Sequence, residues 1–348
     1  MMATDLDEWL TETNVVALTV KEELEPVMGK GTVFFPPTFA PPEGSDDKPS
    51  YLVDELSDKT KAALVDTVGS QANRMEPLFM RPPYSELVPQ ATVRIGEREI
   101  NLLETGHRAA DAVVRFSDRW ETLRTAFTDI RDRRDATGLA KLAPTSLVFG
   151  VWDSRDTQVK LPRLVGATVR AYDVSPLSRA AQYFSSTEKE EVEELAESKF
   201  LSEIGLNDAP AGRTAGGLIA RGGIRREAVL NLVALRALGG GKDDGTKLLR
   251  RYILGLALTA LLTRTEKFLR EGCLLVSSAP AAAQVVYRTG ERQALELDEG
   301  EAFRYAKAAA GEFGVGAGWM ATFSKEAVSK AANEKSEKAA AKKAKKAK

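Results

Sequence analysis

Histidine and cysteine are almost missing from this chain: its 348 residues include one of each, His107 and Cys273. A single cysteine excludes an intrachain disulfide and any thiolate cluster for a metal. A single histidine means that a histidine-based metal site or a Ser-His-Asp triad would have to be built around that one position. No G-x-S-x-G marks a nucleophile, and the lack of G-x-x-x-x-G-K-[ST] argues against a P-loop nucleotide site. Residues 316–321, GAGWMA, formally fit G-x-G-x-x-A, but no clear strand precedes them, so a bend is the better reading. Long apolar runs are also lacking. The longest, residues 252–262, falls short of the roughly 20 residues needed to span a bilayer. The opening MMATDLDEWL is acidic and has no charged-then-apolar order, which predicts no signal peptide and a soluble cytoplasmic protein.

What is present is ample apolar material, 43% of the residues, enough for one elaborate domain. Charge is nearly balanced at −1 but unevenly placed. Residues 325–348 hold nine Lys against three Glu, a net +6, which leaves −7 on the first 324 residues. A nucleic-acid site on such a body has to be a local stripe and not a global field. The tail itself is Ala/Lys-rich and predicts a frayed, solvated helix or disorder, outside a single domain over 1–324.

Apolar periodicity predicts strands at 14–20, 147–152, 164–173 and 272–277. It predicts helices at 54–68, 107–116 (Thr105 as cap), 118–135, 185–200, 247–263 and 299–313. Hairpins are expected at 91–100, around Gly96, and at 285–287 with 294–297. The Pro-rich segment at about 26–50 predicts an extended, mobile loop, and 207–223 a Gly-rich basic loop. Residues 224–238 fit helix or strand alike. The large elements then run β-α-β-β-α-β, the ferredoxin-like pattern, an α+β fold with long insertions.

Basic residues recur in two places. Lys160, Arg163, Arg170 and Arg179 lie on or beside the predicted strand pair, and alternation puts Arg170 and Tyr172 on one face. A cation beside a stacking ring suits single-stranded nucleic acid, whose phosphates need charge and whose splayed bases need aromatic faces. Arg213, Arg221, Arg225 and Arg226 form a second cluster beside glycines that would let a loop approach a sugar-phosphate backbone. His107 and Arg108, at the predicted start of a helix, are a candidate phosphate or RNA contact. The plainer alternative is surface arginines paired to acids and a structural histidine. Asp153 and Asp156 could hold a divalent metal for phosphodiester cleavage, although paired acids in a polar loop are common. Cys273, in the apolar run CLLV, predicts an inert core thiol.

The blocks HRAADAVVR, LAPTSLVFGVWDS, KLPRLVGATVRAYDV, GGIRREAVLNLVALRAL, LLRRYILGLALTALLTRT and FLREGCLLV, in that order over residues 100–315, resemble one family. It is the backbone subunit (Cas-seven type, RAMP superfamily) of the type I-U, or I-G, CRISPR effector called Cascade. The resemblance implies an RRM-like palm with finger and thumb insertions. It implies copies stacked in a filament along a CRISPR RNA, presenting the guide to a target DNA strand. The implied partners are a large subunit, a fused capping and processing subunit, and a helicase-nuclease that degrades DNA. Within the matching blocks, Lys160, Arg163 and Arg170 are the expected palm contacts, Tyr172 a stacking contact, and Arg225 and Arg226 contacts near the thumb. No catalysis, metal or cofactor is implied. The competing readings are a metal-dependent RNA nuclease using Asp153 and Asp156, and a protein-only scaffold.

Overall fold

Buried and exposed residues alternate with period two along three long segments, as they do in strands with one covered face. The computed structural model describes residues 5–45, 47–187, 189–192, 197–206 and 209–333. Its strands are β1 (Val15–Pro26), β2 (Leu52–Glu55), β3 (Lys61–Asp66), β4 (Ala91–Ile95), β5 (Arg98–Asn101), β6 (Val151–Trp152), β7 (Lys160–Leu161) and β8 (Val165–Tyr172). They continue with β9 (Val174–Tyr183), β10 (Ala209–Ala220), β11 (Ile224–Asn231), β12 (Lys267–Arg270), β13 (Cys273–Ser277), β14 (Ala282–Tyr287), β15 (Arg292–Ala294) and β16 (Trp319–Thr322).

The main sheet has nine strands in the order β12-β13-β1-β11-β8-β3-β2, with β14 and β15 attached beside β1. Every pairing in it is antiparallel. One edge of β1 pairs with β11; the other pairs with β14 along Val15–Lys21 and then with β13 at Leu24–Pro26. The covered face holds two cores. The larger gathers Leu18, Val20, Ala167 and Leu230 with the helix Asp243–Leu262. The smaller gathers Leu24, Phe34, Val169, Ile224 and Leu275. Between them lies a polar layer around Glu22 and Arg226.

The helix Asp243–Leu262 packs against Glu299–Phe313, itself started by a capping box of Asp298 and Glu301. Their close approach needs Gly255, because a Cβ there would sit 2.7 Å from the Ala306 Cα. Beyond Tyr172 the chain turns at Asp173 into β9 and returns along β10, so β8 and β11 extend outward as a long two-stranded excursion.

The fold is α+β, as expected, but several elements differ. Residues 147–152 are not a strand: Thr145–Phe149 is a helix, and only Val151–Trp152 pairs. All five residues of that helix are buried, so its apolar run carries no face-specific period. The second and third long strands are instead β8 and β11. The helix expected at 54–68 is the β2–β3 hairpin, whose turn is closed by Leu56 and Thr60. The expected loop at 207–223 is mostly β10; residues 207–208 lie outside the described ones. Residues 107–116 form two short turns, and 185–200 is represented by the short helices Lys189–Val192 and Ser198–Glu203. The Pro-rich segment is tied down at Phe34, buried and bridged to Leu218, and at Phe35, whose N–H donates to the Gly272 carbonyl. Gly217, at φ +105, makes room for that crossing: a Cβ there would meet Val33 Cγ1 at 2.5 Å. Residues 325–333 are helical, and 334–348 lie outside the described residues. Among the described residues no helix is long and apolar enough to cross a membrane.

Candidate nucleic-acid interface

The face of the main sheet opposite the helices is open at β1, β11 and β8, and the pairing register sets what it displays. Arg170 on β8 sits opposite Arg225 on β11, and Thr168 opposite Glu227. Next across, Glu23 of β1 faces Arg225, and Lys21 faces Glu227. Tyr172 lies two residues from Arg170, on the same face.

The contacts form one cluster. The Arg225 guanidinium carbon lies 4.8 Å from the centre of the Tyr172 ring, a cation–π arrangement. Arg225 Nε donates to Glu23 Oε1 at 3.0 Å, and the Tyr172 hydroxyl donates to Glu227 Oε2 at 3.4 Å. Burial, joined by the charge of Glu227, raises the Tyr172 pKa and keeps its hydroxyl a donor. Arg170 Nη1 donates to Thr168 Oγ1 at 3.0 Å, and among the described residues Arg170 has no carboxylate partner. The Arg225–Glu23 pair is 40% and 49% exposed, in the range where an ion pair contributes ~0–1 kcal/mol. A phosphate could therefore take Glu23's place at small cost.

Lys160 and Arg163 are exposed at the other end of β8. Lys160, on β7, places its Nζ 5.2 Å from the Trp152 ring centre. Arg163 crosses tightly over Gly150, which has φ +80 and where a Cβ would meet Arg163 Cγ at 2.9 Å.

Two expected contacts point elsewhere. Arg226 follows Arg225, and alternation turns it to the covered face, where it is 9% exposed. Its Nε donates to Gln71 Oε1 at 2.9 Å, and it faces Glu22 at 3.9 Å. Glu22 also takes a hydrogen bond from Ser277 at 2.7 Å and pairs with Lys267 at 2.8 Å. Arg108 is 3% exposed; its Nε donates to the buried Glu76 at 2.7 Å, and its guanidinium lies over the Phe149 ring. Burial pushes Glu76 up to about 7 despite the attraction of Arg108. Arg226 and Arg108 are thus buried structural arginines. His107 stays exposed, and its backbone N–H donates to Asp111 Oδ2 at 3.3 Å. Arg213 lies on β10, and its side chain is outside the described ones.

Asp153 is fully buried and accepts hydrogen bonds from Arg115, the Thr157 N–H and the Thr157 hydroxyl. Asp156 accepts from Arg124 at 2.8 Å and Trp120 at 3.2 Å. Both are holding the loop together, and the described residues hold no cluster of three or more metal-ligating side chains. Cys273 is buried, and burial pushes its thiol up to about 12.

Trp152, 56% exposed, went unnoticed in the sequence because it lies inside an apolar run that reads as core. The Arg225–Tyr172 contact was also unseen, since it joins residues of two strands whose pairing no local spacing reveals.

Residues 18–176, a little under half of the chain, match the family model described as CRISPR-associated protein GSU0053. No curated protein matches. One solved chain, from a structure described as "CRISPR RNA-guided surveillance complex, pre-nicking", is 10% identical, covers 83% of this chain and 82% of its own length, and has a TM-score of 0.35. The matched segment takes in most of β1, together with β3, β8, Trp152, Lys160, Arg163, Arg170 and Tyr172.

Proposed function

We propose that the chain is a guide-RNA-binding backbone subunit of a type I-U (I-G) Cascade complex, with no catalytic role of its own. The observation that carries this reading is the open sheet face, where Arg170, Arg225 and Tyr172 join two cations to an aromatic ring. Phosphates of a single strand would meet the guanidiniums, and a base would meet the ring. The strands β1, β8, β11 and β13/β14 follow the order of an RRM-like palm: the last beside the first, and the third between the first and the second. The β9–β10 excursion is then the inserted finger or thumb. It carries exposed apolar side chains, Leu177 and Phe184, with Phe200 and Ile204 in the connection between its strands, as a contact with another copy would require. In this reading the protein holds the CRISPR RNA backbone and base pairing reads the target DNA. The large subunit, the fused capping and processing subunit and the helicase-nuclease are its further partners.

The test is expression beside a CRISPR array, followed by purification without added nucleic acid. A high ratio of absorbance at the nucleic-acid over the protein band, CRISPR-repeat sequence in the bound RNA, and a large multimer that collapses on RNase treatment are expected. A nucleic-acid-free monomer that ignores guide RNA beside its partner subunits would overturn the proposal. The nuclease reading has little support, since Asp153 is buried with both carboxylate oxygens engaged.

A further inference from the structure

Three of the four tryptophans are core residues, Trp9 at 3% and Trp120 and Trp319 at 8% exposure, while Trp152 is 56% exposed. An indole left in water needs a reason, because so large an apolar surface gains most by burial. The reason is not a loose loop. Trp152 is paired opposite Lys160 in the β6–β7 ladder, with Val151 opposite Leu161. Val151 on that ladder and Val159 just before it are buried at 6% and 7%. The turn between the strands is closed by Asp153, whose carboxylate binds Arg115 and Thr157 and whose N–H donates to the Val159 carbonyl. The ring is therefore presented on a fixed mount.

Its neighbours define the ligand. Lys160 and Arg163 are exposed and, like Arg155 in the turn, make no ion pair among the described residues. The local acids are spoken for, Asp153 by Arg115 and Asp156 by Arg124. A protein partner's apolar segment would find a single ring among cations. A duplex would offer phosphates but no base face to the ring. A single-stranded nucleic acid offers both. Lys160 and Arg163 precede β8, and seven steps of ~3.3 Å along Val165–Tyr172 put the start of that strand, two residues after Arg163, about 23 Å from Tyr172. That span exceeds one nucleotide and suits an extended strand.

We propose that Trp152 is a second base-stacking platform, at the opposite end of β8 from Tyr172, with Lys160 and Arg163 binding the flanking phosphates of a single-stranded RNA. This rests on the RNA-binding reading above and adds to it the place where the strand leaves the sheet.

Because the other tryptophans are buried, emission from Trp152 reports the contact directly. Full-length protein freed of nucleic acid is titrated with an oligouridine RNA, following tryptophan emission and, in parallel, anisotropy of a dye-labelled copy of the RNA. Emission is expected to fall on binding in the wild type and to change little in Trp152→Phe, whose smaller ring should bind the RNA more weakly than wild type but more tightly than Trp152→Ala. Trp152→Ala should bind about tenfold more weakly at fixed salt while melting at the wild-type temperature. Inorganic polyphosphate, a polyanion without bases, should bind without quenching. RNA binding by anisotropy with no emission change and unaltered affinity in Trp152→Ala would overturn the platform and leave the RNA reading intact. Equal quenching by polyphosphate would also overturn stacking. Absence of any RNA binding would overturn the RNA reading itself.

Discussion

Arg225 and Arg226 are adjacent residues with opposite fates, and the difference follows from strand alternation alone. Arg225 is on the open face in an exposed pair with Glu23; Arg226 is on the covered face among Gln71, Met75 and Glu22. Arg225→Ala should therefore leave stability within about 1 kcal/mol of wild type. It should also flatten the salt dependence of RNA binding, by about 0.7 in the log–log slope for one lost phosphate contact on a single strand. Arg226→Leu should do the reverse: a loss of about 1–3 kcal/mol in chemical denaturation, from the polar groups left unpartnered, with the salt slope unchanged. An unchanged slope in Arg225→Ala would take that residue off the RNA path. The same layer sets a pH dependence. Burial would raise the Glu22 pKa, but hydrogen bonds from Lys267 and Ser277 and the charges of Lys267 and Arg226 outweigh it, and the net shift is down from 4.5. A carboxylate held below its unfolded value stabilises the fold above that value and loses the contribution as pH falls through the folded one. The melting-temperature advantage of wild type over Glu22→Gln should thus be full at neutral pH and shrink below about pH 4.5. A gap that stays constant down to acid unfolding would show that the ion pairs contribute nothing there.

At the level of elements, the helix pair Asp243–Leu262 and Glu299–Phe313 shows how a small residue fixes an approach. Gly255 faces the Ala306 backbone, with a hypothetical Cβ 2.7 Å from its Cα, and Ala302, Ala309 and Ala310 keep the neighbouring surface low. Backbone cannot step aside as a side chain can, so Gly255→Val should destabilise by about 1–3 kcal/mol or more, read by urea denaturation. An unaffected midpoint would mean that the helices separate freely. These helices were also the elements most legible in the sequence, since each is long, periodic and, for the second, capped by Asp298 and Glu301. Legibility failed where burial was uniform or pairing distant. The helix Thr145–Phe149 is buried on every side, and its apolar run imitates a strand. The strand β10 is full of glycine and reads as a loop, yet Gly217 is there because the Phe34 segment crosses it. Arg170 and Tyr172 were readable as a shared face from their spacing. That Arg225 completes the cluster depends on the β8–β11 register, and that Arg226 leaves it depends on which face the helices cover; Arg108 is buried on a separate turn against Glu76, a pairing no local spacing reveals.

In the whole molecule, β8 and β11 do two jobs: their inner ends belong to the open sheet, and their continuations, β9 and β10, leave the body as a separate two-stranded ribbon. The ribbon's base is locked into the smaller core by Val174, Leu218 and Ala220 and by the Phe34–Leu218 bridge. Farther out it leaves Leu177, Phe184, Phe200 and Ile204 exposed, apolar surface that contributes nothing to its own chain's core. The sequence composition points the same way: residues 188–208 contain eight acids and two Lys, a net negative charge that repels RNA. Folding and RNA gripping should therefore reside in the body, and association of copies in the ribbon. Replacing residues 177–215 by a short Gly/Asn turn keeps the Leu218 lock and removes that apolar surface. Such a variant should fold cooperatively and bind oligouridine with the wild-type salt slope. It should fail to build the large RNase-sensitive multimer, and light scattering in the presence of guide RNA should show only the mass of single copies on the strand. A full-sized multimer from this variant would move the copy-to-copy contact to another surface, and loss of RNA binding in a folded variant would make the ribbon part of the grip.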